Sequence, residues 1–279
     1  MGYHPPAPRV RQTVMISFHS PIRQPGRLAA DAPAAFTLIE VIVVIAVIGL
    51  LIGIILPSVG RARATSKVSV CASNLRQVAI AIQQYAMDNR SFIPVGPSTP
   101  MPFNPARTWP EWASNQVWIG GILQENGLGL LVPRYIDDPR VLFCPGSDEP
   151  EDMAEELPRL AARGPADAFC SYLYRQLDET TRPSFDDLGT NSLGLVANAL
   201  AMDVNSLGFP RRTHHGGTRA NVVFRDSHVL TVDNARQPLT LRGMDFAGFP
   251  GSVDRRLDAI FCAADYAENG NPDETPPLP

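Results

Sequence analysis

The sequence predicts an α+β protein: a long, kinked N-terminal helix, transmembrane in its first half and amphipathic in its second, packed on a small antiparallel-sheet head with long loops. Three observations carry this expectation. Residues 41–56 read VIVVIAVIGLLIGIIL, without one polar side chain. Val68, Cys71, Leu75, Val78, Ile82 and Tyr85 then recur at spacings of three and four, which is one face of a helix. Near the C-terminus, VVF and HVLTV flank Arg225-Asp226-Ser227, the pattern of two strands joined by a tight turn.

The apolar segment comes first. With residues 36–40 it makes 21 residues, or about 31 Å of helix at 1.5 Å per residue. The hydrocarbon core of a bilayer is about 30 Å thick. A secretory signal has a shorter apolar region and small residues at its cut. Here the run ends at Leu56-Pro57-Ser58 and an amphipathic pattern follows without a break. A fully buried soluble helix is the competing reading, and the length and aliphatic character of the run speak against it. Glu40 is the exception inside the segment. At a bilayer centre a carboxylate costs about 2.5–3.5 kcal/mol, less near an end, so Glu40 calls for a partner.

The chain has 279 residues, 44% hydrophobic, with a formal net charge of −4. That length fits one medium domain plus an anchor. The acidic balance gives no sign of the basic patch or stripe of a nucleic-acid binder, so no nucleic-acid partner is expected. Glycine (21) and proline (27) are plentiful and predict long irregular connections. Cys71, Cys144, Cys170 and Cys262 form no CxxC pair, which argues against zinc. One or two disulfides and buried free thiols both remain open, and four cysteines allow three full pairings.

The residues AFTLIE at 35–40 resemble the processing site of type IV pilins and type II secretion pseudopilins. In that family a prepilin peptidase removes a polar leader immediately before a Phe and methylates the new amine, and a Glu lies five residues into the mature chain. The resemblance places the cut between Ala35 and Phe36, N-methylation on Phe36 and the assembly carboxylate at Glu40. Ala35 stands where the family usually has Gly. Gly49 and Pro57 fall where pilin helices loosen or kink. The implied partners are the peptidase, other pilin-like subunits and the lipid bilayer. In a filament, a neighbour's Glu40 would pair with the Phe36 amine in low dielectric, where the attraction is strong.

Residues 1–35 form the expected leader, polar and removed, with Met1 or Met15 as the start. They have too little apolar content to fold alone. Arg9, Arg11, Arg23 and Arg27 precede the apolar segment, and Arg61, Arg63, Lys67 and Arg76 follow it. The positive-inside rule therefore gives a tie. The resemblance breaks it in favour of a single pass through the cytoplasmic (inner) membrane, leader cytoplasmic and head exported.

The expected divisions are a transmembrane half-helix at 36–57, an amphipathic half at 58–90, a globular head at 91–263 and a disordered acidic tail at 264–279. Pro57 removes a backbone donor and is expected to kink or loosen the helix. A coiled coil is the alternative for the second half. Six prolines between 94 and 110 predict a loop. Trp109, Trp112 and Trp118 follow, as packing residues or as a carbohydrate platform. Residues 128–136 read as a short helix or turn, 141–145 as a strand, 148–168 as a surface excursion, and 171–176 and 193–202 as short strands.

The string at 71–89 and the segment HHGGTRANVVFRDSHVLTVD at 214–233 resemble planctomycete families of pilin-like proteins with a C-terminal H-x9-DG motif. The matching positions are His215, Gly216, Gly217 and Asp226, a motif of unknown role. Ten residues separate His215 from Asp226, and Ser227 replaces the expected Gly. Some pseudopilin heads hold Ca2+ through loop oxygens, and Asp203 and Asp226 are the candidates for such a site here. Turn capping is the competing role for these aspartates. There is no GxSxG and no nucleophilic Cys context, so no enzyme is expected. The resemblance thus implies a membrane subunit of a type II secretion or type IV pilus-like structure. The alternative is an envelope binding module that uses the pilin N-terminus only for export and anchoring.

Overall fold

The computed structural model describes residues 37–96, 100–101, 104–108, 114–149, 151–175, 184–191, 193–207, 212–246 and 251–269. Ala35, Phe36, Trp109, Trp112, the leader and residues 270–279 lie outside the described residues. In chain order the elements are α1 (Leu38–Asp88), β1 (Pro100–Met101), β2 (Asn104–Thr108), β3 (Ser114–Ile119), β4 (Gln124–Glu125), α2 (Glu151–Ala162), β5 (Ala168–Tyr174), β6 (Ala199–Asp203), β7 (Arg219–Phe224), β8 (Val229–Asp233) and α3 (Gly251–Asn269). Short 3-10 turns connect several of them.

The chain divides into a unit ending at Gly53 and a unit beginning at Ile54. In the first unit, α1 is apolar and every described residue is exposed. This helix is long and apolar enough to cross a membrane. It opens with a reciprocal cap. Thr37 donates from its N–H and its hydroxyl to Glu40 Oε2, both at 2.8 Å, and Glu40 N–H donates back to Thr37 Oγ1 at 3.3 Å. Thr-x-x-Glu is a capping box, and it satisfies amides that the first turn would otherwise leave unpaired. Gly49 has open space around the position a Cβ would take.

In the second unit, α1 continues through Pro57 without interruption, although proline has no N–H to give the preceding turn. Cys71, Leu75, Val78, Ala79, Ile82 and Ala86 are buried, so the face expected from the spacing is the core face. Leu75, Val78 and Ile82 are fully buried, each contributing about 1.5–3 kcal/mol of apolar burial. The helix ends at Asp88, and Arg90 and Ser91 follow with φ of 57° and 67°.

Among the described residues, six strands form one antiparallel sheet in the order β4-β3-β5-β6-β7-β8. Its residues join two apolar clusters. One combines Tyr172, Tyr174 and Val223 with Cys71, Leu75 and Ile82 of α1. The other combines Leu173, Met202, Val222 and Phe224 with Leu257, Ile260, Phe261 and Ala264 of α3. A layer of sheet between two helical faces is thus what the head buries.

Several expectations are corrected. The proline-rich stretch contains the β1–β2 pair. Pro139–Leu142 form a 3-10 turn rather than a strand; Arg140 N–H donates to the Asp138 Oδ1 cap, and Pro139 at the start of the turn favours it. The excursion at 148–168 contains α2, whose Glu156 is buried and accepts from Arg159, Arg212 and the Phe169 N–H. The tail does not begin at 264: α3 runs to Asn269, with Ala264 and Asp265 fully buried.

Candidate functional site

A tight turn at 144–148, Cys-Pro-Gly-Ser-Asp, faces the segment 213–217, Thr-His-His-Gly-Gly. Asp148 N–H donates to the Thr213 carbonyl at 2.9 Å, and His215 N–H donates to the Gly146 carbonyl at 2.9 Å. The Asp148 carboxylate accepts from the Thr213 hydroxyl at 2.8 Å and from Gly216 N–H at 3.0 Å. His215, Gly216 and Gly217 have φ of 54°, 68° and 67°. Glycine reaches that region without a Cβ penalty, which explains the Gly pair. A Cβ on Gly146 would overlap the His215 ring. The His-Gly-Gly part of the motif therefore docks the 144–148 turn and packs the imidazole against Gly146.

Under that imidazole three ligand-type side chains converge, those of Cys71, Cys144 and Asp203. Cys71 of α1 and Cys144 form a disulfide, with Cα atoms 5.1 Å apart. Asp203, from the end of β6, is fully buried. Its Oδ1 lies 3.0 Å from Cys71 Sγ, and its Oδ2 accepts from Asn221 N–H at 2.8 Å and Asn221 Nδ2 at 3.0 Å. His215 Nε2 lies 3.4 Å from Asp203 Oδ2 and 3.4 Å from Cys144 Sγ. The four ligand-type atoms lie within 4.8 Å of one another. Tyr172 OH is 3.6 Å from Cys71 Sγ. Burial pushes this phenol well above its ordinary pKa, and the Asp203 carboxylate pushes it further. Cys170 and Cys262 are buried, and burial pushes the Cys170 thiol up to about 12, which leaves it unreactive.

Asp226 is elsewhere. It sits in the β7–β8 turn beyond Phe224, whereas Asp203 bonds to Asn221 toward the other end of β7. The two aspartates therefore do not share a calcium site. The groups around Asp203 are sulfur and imidazole, whereas Ca2+ takes six to eight oxygens. Asp226 Oδ1 instead meets His228 Nδ1 at 2.6 Å and accepts from His228 N–H at 3.1 Å. Burial raises the Asp226 carboxyl, and the His228 contacts outweigh it and hold the group below its usual range. Ser227, where a Gly was expected, has φ of 68°, so the turn keeps its positive φ despite the side chain. His228 stacks on Phe224, 4.5 Å between centroids.

The Cys71–Cys144–Asp203–His215 cluster is what sequence reasoning missed. Its members are 73, 59 and 12 residues apart in turn, and no short motif joins them. The turn-forming Cys-Pro-Gly-Ser-Asp string was the available signal. Beside the cluster a cleft of about 870 Å³ is lined by Arg61, Arg63, Lys67, Asp148, His215 and Arg219, among others. No family model, no curated protein and no solved structure matches this chain.

Proposed function

We propose that the chain is a pilin-like membrane subunit. A prepilin peptidase cuts it between Ala35 and Phe36 and methylates Phe36. The apolar half of α1 anchors it in the cytoplasmic membrane with the head exported, and that half assembles with other pilin-like subunits in a type II secretion or type IV pilus-like structure. The observation that carries this reading is the contrast within one helix. From Leu38 to Leu56 it offers a wholly exposed aliphatic surface, while from Cys71 onward its apolar face is taken up by the head core. Such a surface calls for lipid or for other helices. Glu40 is held in the first turn by Thr37, within a few residues of the amine that the cut would create.

Intact-mass analysis of membrane-extracted protein tests the processing. The expected mature chain begins with methylated Phe36; a chain that keeps residues before Phe36 overturns the proposal. The basic cleft beside Arg61, Arg63, Lys67 and Arg219 favours a second reading, a tethered envelope module that binds an anionic polymer. Cross-linking in membranes separates the two: subunit ladders support the filament, and monomers that retain the polymer support the module.

A further inference from the structure

We propose that Cys71, Cys144, Asp203 and His215 form a metal site of the zinc class whenever the two sulfurs are reduced, with the disulfide as its metal-free alternative. The inference stands independently of the pilin reading.

Two thiolates, an imidazole and a carboxylate are a zinc-type donor set. The spacing fits as well. With metal bonds of about 2.0–2.3 Å, the edges of a tetrahedral site are about 3.3–3.8 Å. Cys144 Sγ to His215 Nε2 is 3.4 Å, inside that range, and Cys71 Sγ to Asp203 Oδ1 is 3.0 Å, a few tenths of an ångström short of it. The ligands also have supports. Gly146 N–H points at Cys144 Sγ across 3.3 Å, two residues along the chain. An amide so placed stabilises thiolate charge. Asn221 holds Asp203 Oδ2 with two N–H groups, leaving Oδ1 for a metal. The His215 side chain is 4% exposed and Asp203 is fully buried, so a bound ion would be shielded from water and would neutralise a buried carboxylate.

A phosphine breaks the Cys71–Cys144 bond with two electrons and becomes its oxide by taking oxygen from water, whose two protons complete the two thiols. A divalent ion then replaces both thiol protons, which return to solvent.

The test uses the full chain in detergent, reduced with a phosphine and titrated with Co2+ under argon. We expect one equivalent to bind, with thiolate-to-cobalt charge-transfer absorption and the intense visible bands of a tetrahedral ion, and Zn2+ to displace it. Zinc should also protect Cys71 and Cys144 from alkylation, read on their peptides. His215→Ala and Asp203→Asn keep both sulfurs, and each should weaken Co2+ binding by at least about tenfold. If the reduced, metal-free chain loses its thermal transition, Zn2+ should restore it. The proposal is overturned if the reduced chain binds no more Co2+ than the Cys71→Ser/Cys144→Ser variant. It is equally overturned if both single variants bind as tightly as the parent, or if Zn2+ fails to restore a lost transition.

Discussion

Asp265 accepts from both ends of the Arg175 guanidinium, at 3.2 and 2.8 Å, and from Asn191 Nδ2 and the N–H groups of Asn198 and Ala199. Arg175 in turn lies over the Phe261 ring at 4.7 Å. This pair ties α3 to the loop before β6, and both partners are nearly inaccessible to water. Asp265→Ala strands a buried cation and two backbone donors, so denaturant unfolding should show a loss of about 3–5 kcal/mol. A loss under about 1 kcal/mol would mean that water replaces the carboxylate. Ser227 carries the opposite kind of cost, a side chain at φ of 68°. Ser227→Gly removes that strain and should raise stability by about 1 kcal/mol, seen as a higher melting midpoint. An unchanged midpoint would show that the turn relaxes around Ser. The neighbouring Asp226–His228 contact has a definite pH sense. Because the folded Asp226 carboxyl titrates below its usual value, the contact stabilises above the unfolded pKa of about 3.9 and is lost as pH falls through the lower folded value. Asp226→Asn should flatten the acid limb of a melting-temperature profile in that range; an unaltered limb would remove this pair from the account.

At the scale of elements, the first turn of α1 separates two roles for Glu40. A cap needs a hydrogen-bond acceptor, and Gln serves a capping box as Glu does. Pairing with an amine needs charge. Glu40→Gln should therefore keep the helicity of the mature N-terminal segment in micelles but lose incorporation into higher-order complexes, whereas Glu40→Ala should weaken both. If Glu40→Gln assembles as the parent does, charge pairing has no part in assembly. The same helix shows what the sequence makes legible. The three-and-four spacing from Val68 to Tyr85 depends on one local period, and the structure buries Cys71, Leu75, Val78 and Ile82 of it. The β7–β8 hairpin was legible for the same reason. Helix α3 was not recognised, although Leu257, Ile260, Phe261 and Ala264 keep helical spacing and face the sheet. Asp265, Glu268 and the proline-rich stretch after them read as a solvated acidic tail from 264 onward, and the helix to Asn269 with buried Ala264 and Asp265 shows otherwise. The cysteine cluster was illegible for a different reason. Local CxxC logic cannot see ligands that arrive from a helix, a turn, a strand end and a second turn.

For the whole molecule, the Cys71–Cys144 bond joins α1 to the head across 73 residues of sequence. By the loop-entropy argument it contributes about 4 kcal/mol. That link lies wholly on the head side of Gly53, as does every buried residue of α1. The described buried residues of α1 begin at Cys71, so the head is expected to keep its stability without the apolar half. A chain beginning at Ser58 retains the disulfide, both apolar clusters and the Arg175–Asp265 pair. It should be soluble without detergent and melt within about 4 °C of the full chain measured in micelles, the shift that about 1 kcal/mol produces at this size. Near-UV circular dichroism should agree between the two, because Tyr172, Tyr174 and Phe224 sit in cores that the cut leaves intact. A much lower midpoint, or aggregation of the shortened chain, would show that the exposed aliphatic half supports the head directly.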